Sequence, residues 1–149
     1  MTIKGLPMRV LLILLALCGA ASAQGTSSPV GLWRTVDDKT GKENGAVRIF
    51  ESGGALYGRI ERINDPARAA LSCTKCSDDR KNKPLIGLDI MRGLKRDGEA
   101  WGGGTVLDPE TGSIYKASVR LDDGGQKLVL RGYLGISLLG RSQTWIRAQ

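Results

Sequence analysis

The feature that most constrains this chain is a series of short segments in which apolar and polar residues alternate, each followed by turn-forming residues. A period of two places successive side chains on opposite faces of a β-strand, with one face buried and the other solvated. Turns such as SGG, DG, PETG and DGGQ separate the segments, and connections of that length join antiparallel neighbours. The predicted strands are residues 31–38, 45–52, 55–63, 85–96, 100–108, 113–122, 127–135 and 141–148.

Eight such strands predict an all-β fold, either an antiparallel sandwich or an up-and-down barrel. An eight-stranded antiparallel barrel is favoured because closing the sheet removes both of its exposed edges. The long connection over residues 64–84 is expected to contain no more helix than a turn near residues 66–71. Residues 31–149 are therefore predicted to form one barrel domain, whose interior has room for side chains or for one small ligand.

The N-terminus has the pattern of a secretory signal peptide. Lys4 and Arg9 precede the apolar run 10–17, and residues 21–23 read Ala-Ser-Ala, an A-x-A cleavage site. The apolar run is shorter than the roughly 20 residues that a transmembrane helix needs, so no transmembrane anchor is predicted. The interpretation is a signal peptide over residues 1–23, a flexible tail over residues 24–30 and a periplasmic or secreted mature protein.

Lipoprotein processing at Cys18 is the alternative fate of this leader. Such sites generally have a small residue before the cysteine, whereas Leu17 stands there in this chain. Cleavage after Ala23 is therefore favoured, and Cys18 would be discarded with the leader.

The charge balance argues against a nucleic-acid partner. The chain has 22 basic and 15 acidic residues, a net charge of +7, and removing Lys4 and Arg9 with the leader leaves +5. Nucleic-acid-binding proteins cluster such charge on one face, whereas the arginines here are scattered singly among acidic and strand-like residues. The default is a solvated, mildly basic surface, and attraction to anionic lipid, polysaccharide or an envelope protein is the alternative.

The segment Cys73-Thr74-Lys75-Cys76 allows three interpretations. Structural zinc needs four Cys or His ligands, and the chain has no histidine, so a metal would need acidic ligands such as Asp78 and Asp79. Thiol–disulfide exchange uses the same spacing at the start of a helix, but the residues that follow are polar, acidic and ended by Pro84. In an oxidising compartment we predict a Cys73–Cys76 disulfide that stiffens the long surface connection, with a redox centre and a metal site as the alternatives.

No enzyme signature is present. Without histidine the commonest general base at neutral pH is missing, and the chain has no G-x-S-x-G, phosphate-binding or dinucleotide motif. The acid-rich segments at residues 37–41 and 107–112 are predicted to be turns, since calcium needs six to eight oxygen ligands. No catalytic residue, metal or cofactor is predicted, and a carboxylate pair such as Asp37 with Asp108 is the remaining catalytic alternative.

Strand periodicity suggests which side chains share a surface. Arg131 and Tyr133 share one face of the seventh predicted strand, Arg141 and Trp145 share one face of the eighth, and Trp33 lies in the first. If these faces meet, arginines and aromatic rings would gather in a lining able to hold an amphiphile with an acidic head. The candidate ligand-binding residues are Trp33, Tyr115, Arg131, Tyr133, Arg141 and Trp145.

The same residues admit a structural interpretation. Interior arginines need anionic or hydrogen-bonding partners, and Asp37, Asp38 and Asp108 are available. Arg–Trp stacking and Arg–Asp pairs would then plug one end of the barrel and hold its first strand to its last.

Several motifs carry a resemblance to known families. The Gly31-Leu32-Trp33 opening, together with a basic closing strand, resembles the lipocalin and calycin barrels. GLWRTVDDKTG, CTKC…KPLIGL, W-x-G-G-x-V-LDPETG-x-x-Y and LVLRGYLGISLLGRSQTW resemble, in order, the secreted bacterial family known as domain of unknown function 2147 (DUF2147). The resemblance runs from about residue 30 to residue 147 and implies a lipocalin-like barrel. The family's biochemical role is unassigned, so the resemblance implies little about function.

The leading hypothesis is an exported, non-enzymatic barrel that binds a small apolar or amphiphilic molecule. The alternative is an envelope scaffold whose barrel is filled by side chains and whose loops contact a protein or lipopolysaccharide. An apolar cavity of a few hundred cubic ångströms that opens at one end would favour the first, and a packed interior would favour the second.

Overall fold

The computed structural model describes residues 28–136 and 140–149. The predicted signal peptide over residues 1–23, with Cys18, lies outside the described residues, as does most of the predicted tail. No helix in the described part of the chain is long and apolar enough to cross a membrane.

Eight antiparallel strands form a closed barrel in which each strand pairs with the next along the chain and the last pairs with the first. The closing contact joins Trp33 to Arg147 and Arg34 to Ile146. The predicted eight-stranded up-and-down barrel is thus confirmed. The strands are β1 Gly31–Val36, β2 Glu43–Ser52, β3 Ala55–Ile63, β4 Asp89–Asp97, β5 Ala100–Asp108, β6 Ser113–Asp122, β7 Lys127–Tyr133 and β8 Gly140–Arg147.

The fourth strand begins four residues later than predicted. The apolar residues 85–88 form a turn, in which the Leu88 amide donates to the Leu85 carbonyl at 3.1 Å and the Gly87 amide donates to the Ile60 carbonyl at 2.8 Å. Gly87 has φ +88°, a conformation that glycine adopts without steric cost. An apolar run this short does not distinguish a strand from a buried turn.

Gly104 lets β4 and β5 approach each other closely. A Cβ atom at this position would lie 2.3 Å from the carbonyl oxygen of Arg92 and 2.7 Å from Cδ1 of Leu94. The pairing of β5 with β6 also shifts between Trp101 and Gly104, as expected where a glycine marks a bulge in a curved sheet.

One end of the barrel is closed by Trp33 and Arg147. Trp33 is fully buried, and its indole Nε1 donates to the Pro29 carbonyl at 2.7 Å. The guanidinium carbon of Arg147 lies 4.2 Å from the centroid of the Trp33 ring. The same guanidinium donates to the carbonyls of Gly125 at 2.8 Å, Val30 at 3.1 Å and Ser28 at 2.8 Å. This arginine therefore fastens the N-terminal segment and the β6–β7 turn over the tryptophan.

The connection between β3 and β4 begins with one helical turn and is stapled by the predicted disulfide. α1, Pro66–Ala69, is capped by Asp65, whose side chain accepts from the Ala67 amide at 3.0 Å. Cys73 and Cys76 are bonded through their sulfur atoms and are both buried. The Cys73 amide donates to the Lys83 carbonyl at 2.8 Å, so a backbone hydrogen bond beside the disulfide joins the two arms of the loop.

A buried arginine organises the second half of this connection. Arg80 is 2% exposed; its Nε and Nη2 donate to the Asp78 carboxylate at 3.1 and 2.7 Å, and Nη1 donates to the Asp89 carbonyl at 2.8 Å. Asp79 instead pairs with Arg92 at 2.8 and 2.9 Å. The two carboxylates weighed as possible metal ligands are thus engaged by arginines. No cluster of three or more metal-ligating side chains occurs among residues 28–136 and 140–149.

Candidate functional site

A cavity of about 470 Å³ occupies the end of the barrel opposite the Trp33 plug. In an up-and-down barrel the connections after β1, β3, β5 and β7 meet at one end, and Arg68, Pro109 and Leu134 from three of them line this cavity. All eight strands contribute to its wall, together with Arg68 of α1 and Leu85 from the β3–β4 connection. The volume falls within the range of about 300–1,000 Å³ that is usual for small-molecule sites.

The inner wall of the cavity is apolar. Its members come from six strands and the β3–β4 connection and are buried, apart from the half-buried Val106. A wall of this kind favours an apolar ligand segment by removing hydrocarbon from water. The residues are Ala46, Val47, Ile60, Leu85, Ile90, Val106, Leu107, Leu130 and Trp145.

Small residues on the strands leave the space open. Gly132 faces the cavity on β7, and a Cβ atom there would lie 3.3 Å from Cγ1 of Val106 and 3.6 Å from Cβ of Tyr115. Gly45 and Ala46 line the cavity from β2. At Gly45 a Cβ atom would lie 2.3 Å from the carbonyl oxygen of Arg62, so this glycine serves the close approach of β2 and β3. Larger side chains at Ala46 and Gly132 would narrow a core of this width, so the cavity follows from the choice of residues as well as from the fold.

Two arginine–carboxylate pairs join separate segments at the mouth. Arg141 on β8 donates to Asp38 in the β1–β2 connection, with Nη2 2.8 Å from Oδ1 and Nε 3.2 Å from Oδ2. Hydrogen bonding with Arg141 lowers the pKa of Asp38, and the same contact raises the pKa of Arg141. Arg68 of α1 lies 2.6 Å from the carboxylate of Glu110 in the β5–β6 turn. The pairs link four different segments around the opening.

A third pair and one separate carboxylate complete the polar rim. Arg62 on β3 hydrogen-bonds the Glu43 carboxylate and also donates to Asn64 Oδ1 at 3.0 Å. Asp108, the last residue of β5, lines the cavity, and its Oδ1 accepts from the Glu110 amide at 2.9 Å. Asp108 forms no salt bridge with any residue in the described part of the chain.

Four of the six residues predicted to bind a ligand line this cavity: Tyr115, Tyr133, Arg141 and Trp145. Trp145 is 2% exposed, and its indole donates to Gln143 Oε1 at 3.3 Å. Tyr133 lies on the same face of β7 as Arg131, but it ends the strand opposite Gly140 and therefore borders the cavity at its rim. The structure therefore brings these four residues to one end of the barrel.

Trp33 and Arg131 lie elsewhere. Trp33 forms the plug at the opposite end, and Arg131 is on the outer surface, where Nη1 donates to Ser142 Oγ at 3.1 Å. The supposition that the Arg131 face of β7 meets the Trp145 face of β8 is wrong. The strand register pairs Leu128 with Trp145 and Gly132 with Arg141, and directly paired residues share a face.

The sequence interpretation also missed several lining residues. Arg68 and Leu85 reach the cavity from the β3–β4 connection, which has no periodic pattern to indicate which side chains turn inward. Ala46 and Val47 both line the wall although they are adjacent. The β2–β3 pairing shifts at this point, where Ala46 pairs with Arg62 and Val47 with Ile60, so that Glu61 is an extra residue on β3. Strand alternation alone could not predict the lining beside such a bulge.

Comparisons with known proteins agree with this fold. The model of a family described as uncharacterized proteins conserved in bacteria, DUF2147, matches residues 31–147. The solved structure of protein HP1028 from the human pathogen Helicobacter pylori, described as belonging to the lipocalin family, is similar to this chain with a TM-score of 0.70. The two sequences are 20% identical, and the similarity covers 82% of this chain and 84% of that one. No curated protein sequence matches the chain significantly. The two matches confirm the predicted resemblances, and at this identity the structural likeness shows the fold alone.

Proposed function

The chain belongs to the DUF2147 family, and from that premise we propose that it is an exported, non-enzymatic carrier of a small apolar or amphiphilic molecule. The observation that supports this most directly is the 470 Å³ cavity with an apolar inner wall and a polar mouth. An amphiphile would place its hydrocarbon against Val47, Leu130 and Trp145 and its head near the mouth. A side-chain-filled scaffold, the alternative considered from the sequence, is disfavoured by an open space of this size.

Binding of a neutral fluorescent apolar probe, phenylnaphthylamine, tests the carrier proposal on the mature chain. The probe should bind saturably with one site per chain and gain fluorescence. Val106→Phe places an aromatic ring in the cavity and should weaken binding of the probe at least tenfold. Val129→Phe is the matched control, because Val129 pairs with Thr144 on the outer face of the barrel. Saturable binding that is equal in both variants, or no binding at all, would contradict the proposal.

Native mass spectrometry of protein purified gently from its own host gives a second test. A co-purifying small molecule that is lost from the Val106→Phe variant and kept by the Val129→Phe variant would support the carrier function. An unadorned protein mass for the wild type would count against it.

Export has its own test. The N-terminal pattern and the buried disulfide both suit an oxidising compartment. Intact-mass analysis of a periplasmic or culture fraction should find a chain that begins at Gln24. A full-length chain confined to the cytoplasm, with free thiols at Cys73 and Cys76, would refute the export proposal.

A further inference from the structure

The positive charges at the cavity mouth are already balanced by the protein. Each of the three arginines that line the cavity, Arg62, Arg68 and Arg141, is paired with a carboxylate of a different segment. An incoming carboxylate would have to displace that partner or share the arginine with it. In the second case two like charges would lie within a few ångströms of each other, which disfavours the charged form of the ligand.

Asp108 makes the mouth less favourable still for an anion. It is half-buried, it lines the cavity, and its charge is close enough to Arg141 to contribute to the raised pKa of that arginine. One of its oxygens accepts the Glu110 amide, which leaves Oδ2 as an acceptor that faces no lysine or arginine within salt-bridge distance in the described part of the chain. A carboxylate in this position repels an acidic head and accepts a hydrogen bond from a hydroxyl or amide.

The cavity also offers neutral hydrogen-bonding groups. Gln143 lines the wall, and because its Oε1 accepts the Trp145 indole, its amide NH₂ is the part that remains for a ligand. This NH₂ makes no hydrogen bond with another residue in the described ranges. The hydroxyl of Tyr115, which also lines the cavity, can donate or accept. Together with Asp108 these groups complement a head that both donates and accepts.

We propose that the cavity selects an amphiphile with a neutral head, such as a hydroxyl or amide, over one with a free acid; this inference rests on the carrier function proposed above. The head lies among Asp108, Gln143 and Tyr115, and the apolar part lies deeper, against Leu130 and Trp145. The acidic head expected from the sequence followed from arginines considered without their partners. With the ion pairs in place, the arginines hold the segments around the mouth together, and each of the three guanidiniums already faces a carboxylate of the protein.

Competition among three ligands with the same alkyl chain tests the choice of head. Dodecanol, dodecanoate and dodecylammonium are each titrated against bound phenylnaphthylamine at low salt and below their micellar concentrations. Dodecanol should displace the probe at a concentration about tenfold below that of dodecanoate, the ratio that corresponds to one pKa unit of like-charge repulsion. Asp108→Asn removes the repulsion and should narrow the ratio to about threefold or less.

Asp122→Asn is the matched control. Asp122 ends β6 at the opposite end of the barrel, and the substitution removes the same charge as Asp108→Asn. It should leave the ratio unchanged; equal narrowing in both variants would show an effect of net charge alone and overturn the role of Asp108. Dodecanoate binding as tightly as dodecanol or more tightly would overturn the neutral-head inference while leaving the carrier function standing. If neither the probe nor any of the three ligands binds, the carrier function fails, and the inference fails with it.

Discussion

Removing the carboxylate of Asp78 should destabilise the barrel measurably, although this residue lies on a surface connection. Asp78 holds the guanidinium of Arg80, which is 2% exposed, and also accepts from the Arg80 amide at 2.9 Å. The substitution Asp78→Asn keeps the shape of the side chain and removes its charge. The buried arginine is then left with one neutral side-chain acceptor and the Asp89 carbonyl.

The magnitude follows from the pKa of Asp78. Hydrogen bonds from the side chain and then the backbone of Arg80 lower this pKa from 3.8 to about 2. At about 1.4 kcal/mol per pKa unit this corresponds to no more than about 2.5 kcal/mol. Screening reduces that value, since 32% of the Asp78 side chain is exposed. The buried guanidinium left without its counter-charge adds to the cost. We expect a loss of about 2 kcal/mol in the free energy of unfolding at pH 7.

The pH dependence gives an independent signature. Because the pKa of Asp78 is lower in the folded state, its stabilisation is complete above about pH 4 and is lost as the pH falls towards 2. The difference in unfolding free energy between wild type and Asp78→Asn should therefore shrink between pH 4 and pH 2. Urea unfolding followed by tryptophan fluorescence measures this difference directly.

Asp79→Asn is the control from the adjacent position. Asp79 pairs with Arg92 on the surface, where the two side chains are 58% and 31% exposed, so its loss should destabilise the barrel clearly less than the loss of the Asp78 carboxylate. Equal losses in the two variants would refute the idea that the burial of Arg80 decides the effect. If the difference in unfolding free energy between wild type and Asp78→Asn stayed constant from pH 7 to pH 2, the assigned role of the Asp78 charge would be wrong.

Three further predictions concern the closed end and the stapled connection. Arg147→Met removes a cation–π contact and three hydrogen bonds to carbonyls and should cost about 2–4 kcal/mol in urea unfolding; a loss below 1 kcal/mol would contradict its role. Gly112→Ala should cost at least about 2 kcal/mol more than Gly53→Ala, because both glycines have positive φ but only the Cβ at Gly112 would meet a backbone oxygen, at 2.0 Å; equal thermal stabilities of the two variants would refute this. Without reduction, a thiol reagent should not label Cys73 or Cys76 in the mature protein, and replacing both by serine should cost about 2 kcal/mol; rapid labelling of the native protein would contradict the staple.

Much of the fold could be predicted from the sequence because the decisive signals are local. β3, β5 and β6 begin and end at the predicted residues, since alternation and glycine turns bound each of them. The connections between consecutive strands are mostly too short for anything except antiparallel pairing. Closure followed from eight strands and the need to remove sheet edges. The late start of β4 was missed because its boundary depends on hydrogen bonds from the turn to Ile60, more than twenty residues away.

The candidate site was harder to predict because it depends on register. Alternation showed that Arg131 and Tyr133 share a face, but not which face of β7 meets the interior. The more apolar face, with Leu128 and Leu130, was the better choice on burial grounds, since guanidinium groups are costly to bury without partners. A shift of one residue moves every side chain of a strand to the opposite face. Choosing the wrong face of β7 therefore placed Arg131 in the interior, where the structure has Gly132.

Arginine has different roles at the two ends of this barrel, and the difference explains why its presence alone predicted the site poorly. At the closed end, Arg147 donates to three backbone carbonyls and covers Trp33, so its guanidinium is fully engaged by contacts within the chain. At the open end, Arg141 is exposed and held by Asp38, so it joins two segments beside the mouth of the cavity. Arginines and aromatic rings occur together at both ends, so their presence alone does not separate a plug from a pocket. What distinguishes the two ends is the partner of each guanidinium, and for Arg141 and Arg147 these partners include residues more than a hundred positions away in the sequence.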